Sequence, residues 1–214
     1  MNREKLTEQI EKYAPFCPQE ERDKAVILSF LRENEDAFER SNLLAHMTAS
    51  AWVVSRDRKK VLAVYHKIYN SWSWTGGHAD GETDLLSVAL REVREETGVK
   101  TVIPLSDEIF SLEVLTVDGH EKRGQYVPSH LHLNITYLLM ADEKEALTVC
   151  EDENRGVAWF SPEELFEKST EPWFVERIYK KLDRKLSVFN KIVDPASVSD
   201  QDEAENAFDN VNKI

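Results

Sequence analysis

Apolar side chains recur at helical spacing from Asn2 to about Met47: Leu6, Ile10 and Tyr13 first, then, beyond Pro15 and Pro18, Ala25, Leu28 and Leu31. That spacing lines one side of each helix and predicts a helical N-terminal extension over residues 1–46. From Ala49 the apolar runs shorten. AWVV at 51–54 and VLAVYH at 61–66 flank the polar cluster SRDRKK, a pattern that predicts two strands joined by a hairpin turn. The glycine-bearing loop TGGHADGE then leads into a helical segment from about Asp84 to Thr97, closed by Gly98 at the place where a left-handed residue ends a helix. Further strands are expected at 111–117, 131–140 and 156–160, after which Ser161 and Pro162 open another helix in N-cap and first-turn order. The element order is mixed α/β, with a C-terminal helix over 169–193 and a flexible acidic tail over 194–214.

Composition narrows the class. Forty acidic against 27 basic residues give a formal net charge of −13 across 214 residues. Such a surface does not neutralise a nucleic-acid polymer, although a small nucleotide remains admissible when cations mediate. No apolar run reaches the roughly 18 to 20 residues needed to span a bilayer, and the N-terminus is charged where a secretory signal is apolar. Cys17 and Cys150 stand far apart and supply no cysteine-rich zinc set. A cytoplasmic protein without a membrane partner is the expectation.

The most informative segment is Arg91-Glu92-Val93-Arg94-Glu95-Glu96-Thr97-Gly98-Val99. At about 100° per residue, Glu92, Glu95 and Glu96 share one arc of the helix, while Leu86, Ala89, Leu90 and Val93 form an apolar one. Like charges at this spacing cost a few tenths of a kcal/mol. A hard divalent cation such as Mg²⁺, which takes carboxylate oxygens together with substrate phosphates, offsets that cost. The plainer reading is a solvated acidic face with Arg91 and Arg94 as ion-pair partners. The loop favours the first, because Gly76, Gly77 and Gly81 let the backbone approach a ligand immediately before the carboxylate helix.

Here the chain resembles the Nudix hydrolases. Their box reads Gly, five residues, Glu, seven residues, Arg-Glu, an aliphatic residue, any residue, Glu-Glu, any residue, Gly, aliphatic. Gly77, Arg91, Glu92, Val93, Glu95, Glu96, Gly98 and Val99 match without a gap, and Thr83 stands where the first Glu belongs, with Glu82 beside it. The resemblance extends to about residues 47–168. It implies a Nudix-type α/β/α sandwich with a mixed sheet, and Mg²⁺- or Mn²⁺-dependent hydrolysis of a diphosphate linkage in a small nucleoside diphosphate derivative. Glu92, Glu95 and Glu96 would be the metal ligands. Arg91 would orient a carboxylate, Glu95 or a nearby loop acid. The general base would be a box glutamate or a distant acid, with Glu151, Asp152 and above all Glu153 as candidates. Because Thr83 breaks the pattern, a catalytically impaired nucleotide-binding or regulatory module of the same family is the competing reading. An allylic diphosphate isomerase of related fold would need a cysteine that neither Cys17 nor Cys150 provides in a comparable motif.

Several side chains outside the carboxylate cluster are candidate substrate contacts. His130, His132, Asn134 and Thr136 alternate along one strand face and can line a phosphate or base pocket or serve structural hydrogen bonds. Zinc lacks a cysteine set to complete this pair. Gly77 and His78 belong to the loop, and Trp74, two residues after Trp72, offers either a stacking surface or a core aromatic. The helical extension can shape the pocket or mediate a homodimer.

Overall fold

The computed structural model describes residues 2–122, 124–150, 152 and 154–193. Helices α1 (Arg3–Lys12) and α2 (Pro18–Glu33) precede strands β1 (Ala45–Val54), β2 (Val61–His66), β3 (Ser71–Ser73) and β4 (Thr75–His78). Helix α3 (Leu85–Thr97) is followed by β5 (Val102–Pro104), β6 (Ser111–Val117), the small hairpin β7 (His120–Lys122) and β8 (Gln125–Val127), β9 (His130–Ala141) and β10 (Asn154–Phe160). Helices α4 (Pro162–Lys168) and α5 (Pro172–Phe174), a π-helical turn (Val175–Tyr179) and α6 (Lys180–Val193) complete the described chain. The expected tail at 194–214 lies outside these residues.

One mixed eight-stranded sheet organises the molecule. Its central pair, β1 and β9, is parallel and in register from Ala45 opposite Leu131 to Val54 opposite Met140. Every other pairing is antiparallel: β2 and β4 against β1, β3 and β10 against β2, and β5 and β6 against β9. Side chains alternate between the faces, so each face builds its own core. Met47, Ala49, Ala51 and Val53 join Leu133, Ile135 and Tyr137 under Leu6, Ile10, Ile27, Leu31 and the apolar arc of α3. On the opposite face Trp52, Val54, Leu115 and Leu138 pack beneath Leu165, Ile178, Tyr179, Leu182 and Leu186 from the C-terminal helices.

Helix α3 forms where its local signals place it. Asp84 caps it by accepting the Ser87 N–H, and Gly98, at φ 73°, ends it with its N–H on the Arg94 carbonyl. Leu85, Val88, Ala89 and Val93 are buried, each large apolar side chain contributing about 1.5–3 kcal/mol. At α4 the Ser161 hydroxyl and the Glu164 carboxylate form a reciprocal capping box.

The helical reading of residues 34–47 is corrected. Helix α2 ends at Glu33, and β1 begins at Ala45, so the expected boundary at residue 46 falls inside a strand. All ten residues of β1 are buried. His46, Thr48 and Ser50 alternate with Met47, Ala49 and Ala51 in its first half, and beyond Ala51 the strand is a continuous apolar run, as in strands covered on both faces.

Candidate active site

Strand β4 lies antiparallel to β1, with Gly76 opposite Ser50 and Gly77 opposite Ala49, and α3 packs across both. The two glycines are required by crowding. A side chain on Gly77 would overlap the Glu92 carboxylate, and one on Gly76 would meet the Ser50 hydroxyl and the Ala49 carbonyl. Gly81, at φ 84°, instead supplies a left-handed turn.

The box carboxylates occupy different surroundings. Glu92 is largely buried and accepts Arg91 Nη2 at 2.9 Å. Glu96 is 4% exposed; it accepts the Gly76 N–H at 3.0 Å and Asn154 Nδ2 at 3.3 Å, tying the start of β10 to the box helix. Glu95 is exposed. Arg91 therefore pairs with its sequence neighbour Glu92 rather than Glu95, and also reaches the His78 carbonyl at 3.4 Å. The bond to Glu92 raises the Arg91 guanidinium above its ordinary pKa. All three box groups offer carboxylate oxygens, the donor type that suits Mg²⁺ or Mn²⁺. Glu92 and Glu96 both turn toward the β4 glycines, whereas Glu95 is exposed.

Around the box, the remaining candidates separate. Glu82 is exposed and its carboxylate accepts the Asp84 N–H at 2.7 Å, supporting the start of α3. Thr83 is half-buried beside it. Glu151 and Glu153 lie outside the described residues, and Asp152 is exposed in a turn. Trp74 is 8% exposed, its ring edge-on to Tyr179 within the second core, so the fold uses it for packing and does not present it as an open stacking surface.

The histidines converge. His78, His130 and His132 meet a fourth, His46, and one potential ligand atom from each lies within 4.8 Å of the others. This is the group of potential metal ligands that the fold draws together among the described residues. His46 escapes the sequence reading because the helical pattern of the extension runs through residue 46. Its signal was the alternation His46, Thr48, Ser50 entering β1. Burial, reinforced by His78, His46 and His130, pushes the His132 pKa down to about 2. Burial also lowers His46, against the opposing bond from its Nδ1 to the Asn42 carbonyl.

Farther along the same face the polar side chains continue as a closed network. Thr48 and Ser50 donate to Asn134 Oδ1 at 3.0 and 2.9 Å, and Asn134 Nδ2 donates to Glu113 Oε2 at 3.0 Å. Lys181 pairs with Glu113 at 2.9 Å and with Glu20 at 3.2 Å, and Lys185 with Glu20 at 3.0 Å. The single Ser111 hydroxyl proton is shared between the two carboxylates. Both glutamates are wholly buried. Despite burial, Glu113 and then Glu20 raise the Lys181 pKa, which keeps its amine charged.

A family description, the NUDIX domain, matches residues 44–182. Among solved structures the chain is similar to a C. elegans Ap4A hydrolase in a binary complex, at 18% identity over 67% of this chain and 96% of that one, with a TM-score of 0.49. It is also similar to a MutT protein from Methanosarcina mazei Go1, at 19% identity over 66% and 95%, with a TM-score of 0.47. For the E. coli dihydroneopterin triphosphate pyrophosphohydrolase the values are 15%, 64% and 95%, with a TM-score of 0.46. No curated protein sequence matches.

Proposed function

The chain belongs to the NUDIX family, and from that premise we propose that it is a pyrophosphohydrolase of the Nudix type that hydrolyses a diphosphate linkage in a small nucleoside diphosphate derivative with Mg²⁺ or Mn²⁺. The observation that carries the reading is the fit of box to fold: Glu92 and Glu96, one helical turn apart, rest on Gly77 and Gly76 within the matched domain.

Glu92, Glu95 and Glu96 would hold the cation, which when bound supplies charge neutralisation on the diphosphate and acidifies a coordinated water. The chain's own residues prepare that site. Arg91 holds Glu92 in place and ties it to the His78 carbonyl, so the loop and helix keep one spacing. Gly76 and Asn154 fix Glu96 as an acceptor facing β4. Glu95, exposed, is the carboxylate open to solvent and substrate. For the proton acceptor we keep Glu153 as the candidate, because its neighbour Asn154 already bonds Glu96.

A panel of nucleoside diphosphate derivatives assayed with Mg²⁺ tests the reading. Glu96→Gln and Glu95→Gln are each expected to lower kcat by about 100-fold or more, as removal of a group stabilising transition-state charge does. Nucleotide binding with no turnover on any panel member would favour the module without catalysis, the reading that Thr83 motivates.

A further inference from the structure

Three strands bring the histidines to one face. The parallel register of β1 and β9 sets His46 beside His132, His130 follows two residues away on β9, and His78, opposite Thr48 on β4, points to the same side. Their rings lie 4.8 to 5.1 Å apart, centroid to centroid, for His46 against each of the others.

Hydrogen bonding fixes which nitrogens face inward. The Nδ1 atoms of His46 and His130 contact the carbonyls of Asn42 at 3.1 Å and Pro128 at 2.8 Å. A carbonyl only accepts, so each Nδ1 carries the proton and each Nε2 keeps its lone pair. That is the outer arrangement by which proteins orient metal-binding imidazoles. His46 is 4% exposed, and its Nε2 makes no hydrogen bond. A buried polar atom left in this way costs stability unless something occupies it. The Nε2 atoms of His130 and His132 are 3.2 Å apart, close to the roughly 3.3 Å separation of two ligands in a tetrahedron with Zn–N bonds of about 2.0–2.1 Å.

We propose that His46, His78, His130 and His132 form a site for one Zn²⁺, separate from the carboxylates of the box. Four neutral nitrogen donors suit a borderline tetrahedral ion and disfavour Mg²⁺ or Ca²⁺, which require oxygen. The site has a structural consequence. His78 follows Gly77, on which the Glu92 carboxylate rests, so an ion shared with β1 and β9 anchors the opening of the box loop to the centre of the sheet.

The test uses the 214-residue chain and reads metal, not turnover, so its outcome is independent of whether the diphosphate reading survives. Elemental analysis and titration of chelator-treated protein with Zn²⁺ are expected to give one tight equivalent that millimolar Mg²⁺ does not displace. Co²⁺ substituted at the site is expected to show the strong visible absorption of a tetrahedral complex. His46→Asn and His132→Gln should each weaken Zn²⁺ binding by more than the about 100-fold that loss of an outer hydrogen-bond partner can cost. Glu95→Gln and Glu96→Gln should keep the full equivalent. Circular dichroism and urea unfolding in chelator separate lost binding from lost fold; His130→Gln is the second variant should His46→Asn unfold. Absence of a tight equivalent in the wild type, a weakly absorbing octahedral Co²⁺ complex, or binding retained in folded histidine variants would overturn the proposal.

Discussion

At one end of the β1–β9 face four histidines meet with no carboxylate among them; farther along, Glu20 and Glu113 meet Lys181 and Lys185. Both groups are polar and withdrawn from water, yet they solve burial differently. Each carboxylate of the charged group has an ammonium partner and hydroxyl or amide donors as well. The histidine group leaves the buried Nε2 of His46 without a hydrogen bond. A closed network explains itself as structure, joining α2 and α6 to the edge strand β6. An open one points to something the chain alone does not supply.

The largest expected effect tests the closed end. Lys181→Met removes the amine shared by Glu113 and Glu20 and leaves Glu113 buried without its cation, at a cost of about 3–5 kcal/mol. Urea unfolding in chelator measures it. Under the same conditions His132→Gln should cost less than about 1 kcal/mol, as for a substitution that breaks no closed network. Equal losses would erase the contrast between the two ends.

Zinc sharpens the contrast from the other side. At a free concentration of 100 times Kd, an ion that binds only the folded chain stabilises it by about 2.7 kcal/mol. The unfolding midpoint of the wild type should rise by the corresponding amount, while folded His46→Asn should not respond. A similar rise in that variant would move the ion elsewhere.

A smaller effect follows from acid. Burial alone would raise the Glu20 pKa, but Lys185 first, then Lys181, the Tyr13 hydroxyl and the Phe16 N–H outweigh it and hold the carboxyl below its ordinary 4.5. Glu113 faces the Lys181 amine from β6. Because the folded value is the lower one, the contribution is fully present above about 4.5 and is lost as pH falls through the folded value. The stability difference between the wild type and Glu20→Gln should therefore shrink on acidification. Growth of that difference would mean that Glu20 is not held as a carboxylate.

These regions were unequally legible in the sequence. Helix α3 was readable to its ends, because Asp84, the apolar arc and Gly98 are local signals within one segment. The shared face of His130, His132, Asn134 and Thr136 was readable from alternation. His46 was not, since it falls at the end of a stretch that reads as helical and its partner strand lies 86 residues away in sequence. Lys181 and Lys185 sit one turn apart and look like a solvated helix face. Only the docking of α6 across β6 reveals them as buried, and nothing local encodes that contact. The glutamate box was legible as a motif, but its internal pairing of Arg91 with Glu92 depended on how the loop folds over the helix.

The smallest expected effect falls on the polar side chains between the two ends. Ser50 Oγ is one of two hydroxyls on Asn134 Oδ1, the other being Thr48 Oγ1, and Asn134 passes the chain of bonds on to Glu113. Ser50→Ala removes one donor and strands no acceptor, so its cost should lie at the lower end of the about 0.5–1.5 kcal/mol typical of a hydrogen bond. Its informative readout is zinc affinity. If the histidines and the charged network are separate devices, removing a link between them leaves Kd for Zn²⁺ unchanged. A shift beyond about tenfold, or 1.4 kcal/mol, would show the two ends to be coupled through Asn134, and the open cluster would then belong to the same network as the closed one.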